Sequence, residues 1–150
     1  MRLSDCISGE TLRKLTAAHI EIGNVYKAPM DASNRITPHG DDTYRPKYFI
    51  VVGVDDDGTL YGGVVVNSGV NKNISLTKQD YHYPISCSKY AFLEHDSFVN
   101  CADLKPLELD KLLLGTYSGD IETDDLELIT GAVIESPFND EATLKRFHLL

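Results

Sequence analysis

The chain has 150 residues and a formal net charge of −9, long enough for one domain with a real core and of the wrong sign for holding nucleic acid by general phosphate neutralisation. Hydrophobic residues at 42% and charged residues at 25% are ordinary for a soluble globular protein, and no apolar stretch reaches the roughly 18 residues of a membrane span. The first ten residues are too polar for a signal peptide. Cys6, Cys87 and Cys101 are too few and too far apart for a zinc motif or a disulfide framework, so reduced thiols and a cytoplasmic location are expected.

Residues 10–19 (ETLRKLTAAH) combine good helix formers with apolar positions at Leu12, Leu15 and Ala18, the spacing of a short amphipathic helix. Residues 23–27 read as a first strand. Residues 28–44, rich in Pro, Asp, Asn and Gly, read as one long loop, of a length that in small domains is functional or mobile. Residues 47–54 (KYFIVVGV) and 59–67 (TLYGGVVVN) are β-branched and aromatic runs separated by Asp55-Asp56-Asp57-Gly58, which predicts a hairpin. A polar stretch around 71–79 precedes three short strand-like runs at 83–86, 98–101 and 104–107, and residues 110–114 read as a single helical turn. A better helix begins at Asp124: Asp124 and Glu127 have capping-box spacing, and Leu126, Ile129 and Val133 share a face. Ser136-Pro137 ends it, and Asn139 is expected to cap a last short helix. Several short strands closed by helices predict a mainly β, α+β fold in one domain, either a small barrel or a strongly bent sheet with helices on one side.

Arg45-Pro46 stands at the mouth of the predicted hairpin. Proline donates no hydrogen bond and is tolerated at a strand entrance, and it holds the preceding arginine extended at the rim of the sheet. Ser68 follows the return strand, so the hairpin can bring Arg45 and Ser68 to the same end. A rigid cation beside a hydroxyl suits a phosphate or a carboxylate; the competing reading pairs Arg45 with Asp41 and Asp42. Other chemistries fit less well. Gly53 and Gly62-Gly63 lack the spacing and the lysine of a phosphate loop, and no His-Glu-x-x-His pattern occurs. Ser97, His95 and Asp96 suggest a triad on paper only, since sequence neighbours point to different faces. No cofactor or metal site is expected.

In order along the chain, Gly23-Asn24-Val25-Tyr26, the long loop closing on Arg45-Pro46 and its apolar strand, Val64-Val65-Val66-Asn67-Ser68, residues 92–99 (FLEHDSFV), Lys105-Pro106-Leu107-Glu108 and the helix at 124–135 resemble the motifs of the MazF/PemK family of toxin endoribonucleases. The resemblance covers about residues 23–135. It implies an SH3-like barrel with a C-terminal helix, here with an added N-terminal helix over 1–22 and a short last helix in 136–150. It also implies a homodimer that cleaves single-stranded RNA and is neutralised by an antitoxin protein. Carried over, Arg45 is the catalytic arginine and Ser68, or Asn67 one residue earlier, takes the family hydroxyl position. Lys47, Asn67, Tyr44 and Lys72 are the candidate substrate-binding residues, and residues 28–44 form a flap. Cleavage at a ribose 2′-hydroxyl needs charge stabilisation on the phosphate, which a guanidinium gripping two oxygens supplies without a metal. Some relatives place an Arg and an Asp where this chain has Asn100 and Ala102. That departure, with the acidic run before Arg45, keeps a second expectation open: a catalytically inactive module on the same fold that binds a protein partner.

Overall fold

The computed structural model describes residues 19–31, 34 and 44–150. The helix expected over 10–19 falls outside them except for its last residue, as does most of the 28–44 loop. The described elements follow as β1 (Asn24–Met30), β2 (Arg45–Val54), β3 (Leu60–Asn67), α1 (Leu76–Asp80), β4 (His82–Ile85), β5 (Ser97–Asn100), β6 (Lys105–Glu108), α2 (Leu109–Leu114), β7 (Thr116–Asp120), α3 (Thr123–Glu135) and α4 (Glu141–Arg146).

The predicted hairpin is the centre of the sheet. β2 and β3 pair antiparallel with Phe49 opposite Val65 and Ile50 opposite Val64, and a bulge falls between Val51 and Gly53. Asp55 Oδ1 ties the turn by accepting from the backbone N–H of Thr59 at 3.1 Å and of Leu60 at 3.2 Å. Gly58 supplies the positive φ of 69° that the reversal requires. On its other edge β3 pairs first with β6 and then, past Val65, with β5. The hydrogen-bonded path runs β4–β5–β3–β2–β1–β7 with β6 on β3, and all its pairings are antiparallel. The fold is therefore α+β and mainly antiparallel, with β4 and β7 at the ends of the path.

Both faces of the hairpin are covered, α3 and α4 on one and α2 on the other rather than helices on one side alone, which explains an apolar run without polar alternation. Ile50, Val52, Val64 and Val66 pack on one face with Val99, Ile129, Val133, Leu144 and Phe147. Phe49, Val51 and Val65 pack on the other with Met30, Leu107, Leu109 and Leu112. Two glycines make the first layer possible. A Cβ on Gly62 would sit 2.6 Å from Phe147 Cγ, and one on Gly53 would meet the Phe147 carbonyl oxygen, so α4 closes onto bare backbone.

Several local expectations are corrected. β1 runs on to Met30, with Ala28, Pro29 and Met30 opposite Lys47, Pro46 and Arg45. β7 covers β1 only from Asn24 to Lys27, so Pro29 lies on an edge where a missing N–H costs nothing. The polar stretch contains α1, started by Ser75, whose Oγ accepts from Lys78 N at 3.2 Å. β7 was not expected from its polar sequence; it is held by backbone pairing, by Asn24 Nδ2 donating to Asp120 Oδ1 at 2.7 Å and by the tilted Tyr26–Tyr117 ring contact. Glu122, not Asp124, is the N-cap of α3, with no side-chain capping bond; Asp124 sits in the first turn, where a carboxylate favours the helix dipole. Asp140, not Asn139, caps α4 by accepting from Thr143 N at 2.7 Å. Asn139 is instead buried, accepting from Leu104 N at 2.8 Å and donating to Val133 O at 2.9 Å and Cys101 O at 3.2 Å. Of the face predicted for α3, Ile129 and Val133 are buried and Leu126 packs at the margin.

Candidate functional site at the open end of the hairpin

Antiparallel pairing brings the first residues of β2 to the last residues of β3. Extending the Phe49–Val65 register by two residues places Lys47 opposite Asn67, and Lys47 Nζ donates to Asn67 Oδ1. At this end a cavity of about 250 Å³ opens, lined by Arg45, Lys47, Asn67 and Ser68 from the hairpin, Lys27 from β1, and Glu94, His95 and Ser97 from the segment entering β5. Four of the six residues singled out from sequence therefore share one cavity. Tyr44 does not line it; with Pro29, Pro46 and Leu114 it borders an adjoining, more open groove. Lys72 is exposed in the turn after β3 and lines neither.

The charge balance of the cavity is opposite to that of the chain. Lys27, Arg45 and Lys47 line it against a single carboxylate, Glu94. Among the described residues no carboxylate forms an ion pair with Arg45; Asp41 and Asp42 lie outside them. Lys47 is buried, and that burial, with repulsion from Arg45 and from Lys105 on β6, pushes its ammonium down from 10.5 to about 8. Lys105 is itself buried and bonded to Asp103 at 3.1 Å. Such an arrangement suits an anion and holds an amine that loses its proton more readily than a free lysine.

Lys27, Glu94, His95 and Ser97 were not predicted as site residues. Lys27 carried a usable signal, since strand pairing places it directly opposite Tyr48, and its ammonium lies 5.5 Å from that ring's centre. The other three reach the cavity through the packing of a loop that no local pattern positions. They form no triad. Ser97 Oγ donates to the His95 carbonyl oxygen at 3.0 Å and lies 3.4 Å from His95 Nδ1, while Asp96 accepts from Cys87 N at 3.0 Å.

A second charged cluster sits at the start of α3. Glu122, Asp124 and Asp125 bring carboxylate oxygens within 4.8 Å of one another, a spacing the sequence did not reveal. The Lys89 ammonium occupies the middle, 2.9–3.2 Å from all three, and Tyr83 and Tyr90 donate to Asp125. No helix among the described residues is long and apolar enough to cross a membrane.

A scan against models of known protein families and a search of curated proteins found no match to this chain.

Proposed function

We propose that the protein is an endoribonuclease of the MazF/PemK toxin type, cleaving single-stranded RNA by attack of a ribose 2′-hydroxyl on the adjacent phosphate without a metal ion. The observation that carries this reading is the gathering of Arg45, Lys47, Asn67 and Ser68 around one cavity with an excess of positive charge in a strongly acidic chain. On this reading the antiparallel sheet, whose pairing path does not close, is a partly open barrel of the SH3-like kind. Arg45 stabilises the charge that builds on the phosphoryl oxygens, and Ser68 orients a phosphate oxygen. The partners are single-stranded RNA, a second copy of the chain and an antitoxin protein.

A specific observation favours a second reading, a catalytically inactive module that binds a protein. Asn100 and Ala102 stand where some relatives hold Arg and Asp, and the groove beside the cavity presents Tyr44 and Leu114 at 54% and 76% exposure. The two readings part on one experiment. The purified chain is incubated in EDTA with a long single-stranded RNA, and the sites of cleavage are mapped. The preferred site is then remade with deoxyribose at the 5′ side of the cut. Cleavage of the RNA and an inert deoxy-substituted site are expected; uncut RNA favours the binding module, and a cleaved deoxy site contradicts 2′-hydroxyl attack.

A further inference from the structure

We infer that Lys47 is the group that takes the proton from the attacking 2′-hydroxyl, and that Asn67 is the residue that positions it. The inference rests on the ribonuclease reading and assigns the proton-transfer role that reading leaves vacant, because a guanidinium does not give up its proton and the Arg/Asp pair of some relatives is absent.

The geometry is that of a held amine. Lys47 lines the cavity beside Arg45, yet only 8% of its surface is exposed, so water solvates its charge poorly. Its Nζ is fixed by Asn67 Oδ1 from the neighbouring strand. A neutral amine keeps two N–H bonds; one continues to serve Asn67, which leaves the lone pair for a proton from a bound substrate. Arg45 on β2 and Lys105 on β6 both disfavour the charged form, and burial outweighs either. The remaining charged or titratable groups lining the cavity are Lys27 on β1, Tyr48 on β2, and Glu94 and His95 on the loop; Asp103, beside β6, is bonded to Lys105. With its ammonium lowered to about 8, about a tenth of Lys47 is neutral at pH 7, the range in which a general base works well.

The step balances without a further reactant. The 2′-oxygen forms a bond to phosphorus, its proton moves to Lys47 Nζ, and the bond from phosphorus to the 5′-oxygen breaks. The 5′-oxygen leaves with a proton from water, giving a 2′,3′-cyclic phosphate and a 5′-hydroxyl; Lys47 then returns its proton to solvent. A lysine acting only as a fixed charge would do none of this, and arginine would replace it well.

The test is the pH dependence of kcat/KM on a short single-stranded RNA for the wild type, Lys47→Arg and Asn67→Ala, with an NMR titration of the lysine side chains in the wild-type protein. The wild-type rate should rise about tenfold per pH unit and level off near pH 8. Lys47→Arg should lose about 100-fold or more at pH 8, the usual size of a general-base contribution. Asn67→Ala removes an acceptor that favours the ammonium, so the inflection should move to lower pH. A Lys47→Arg rate within a few-fold of wild type, an unmoved inflection in Asn67→Ala, or a Lys47 that titrates near 10.5 would each overturn the inference. RNA cut in an Arg45-dependent way alongside any of those results defeats this inference alone; RNA left intact by the wild type defeats the ribonuclease reading and this inference with it.

Discussion

An ammonium inside a cavity lacks most of the hydration it has in the unfolded chain, and Lys47 bears that cost in the folded protein. The consequence for stability has a definite sign. Between about pH 8 and 10.5 the unfolded chain holds a proton that folded Lys47 has released, so this residue makes stability rise with pH across that window. Below pH 8 it is charged in both states and its unfavourable contribution is constant, up to roughly 3 kcal/mol from a shift of this size. Lys47→Met should therefore stabilise the fold at pH 7 relative to wild type, and the advantage should shrink by pH 10. Urea unfolding of both proteins at the two pH values checks this; an advantage equal at both would contradict it. At Arg45 the distinction is one of shape. Arg45→Lys keeps the charge but loses the planar fork, so it should restore only part of the activity that Arg45→Ala removes, read as initial cleavage rates of the three proteins; full restoration would reduce Arg45 to a point charge.

At the scale of elements, the hairpin was legible because two signals agree over a long span. β-branched runs supply the strands, and Asp55-Asp56-Asp57-Gly58 supplies a turn that its own carboxylate ties. Once that hairpin is granted, the meeting of Arg45 and Lys47 with Asn67 and Ser68 follows from antiparallel geometry, which is why their shared cavity was readable. β7 was not readable, because Thr116–Asp120 carries polar side chains and owes its state to backbone pairing with β1. The start of α3 slipped because Glu122 takes the N-cap backbone position with no side-chain capping bond to signal it, and that of α4 slipped because the adjacent Asn139 and Asp140 offer similar oxygens and tertiary contacts claim Asn139. The claim of Cys101, Leu104 and Val133 on Asn139 is invisible locally. Asn139→Ala leaves a buried N–H and two carbonyls unpaired and should destabilise by about 2 kcal/mol or more, measured by denaturant unfolding; a neutral change would mean that water replaces all three bonds. Gly62→Ala forces a methyl group against Phe147 and should cost about 1–3 kcal/mol, with α4 losing amide-exchange protection before the sheet does; unchanged stability would show that Phe147 moves aside freely.

At the scale of the molecule, the ribonuclease reading joined to a net charge of −9 and a cationic cavity calls for contact with few phosphates. If only Lys27, Arg45 and Lys47 meet the backbone, the logarithm of the affinity for single-stranded RNA should fall with the logarithm of salt at a slope of about −2. A slope near −5 would place the contact on some other surface. The proposal also includes pairing with a second copy of the chain, so light scattering at high micromolar concentration should give a dimer, and a monomer would count against the toxin-type mechanism. The central claim is that the cavity at the open end of the hairpin cleaves RNA, and its most direct test compares one rate in two proteins. Wild type and Arg45→Ala, both shown to be folded, are given the same single-stranded RNA in EDTA and the initial cleavage rates are measured. The account predicts cleavage by wild type and a loss of about two or more orders of magnitude in Arg45→Ala, the usual consequence of removing a key electrostatic donor; equal rates in the two proteins, or no cleavage by either, would contradict it.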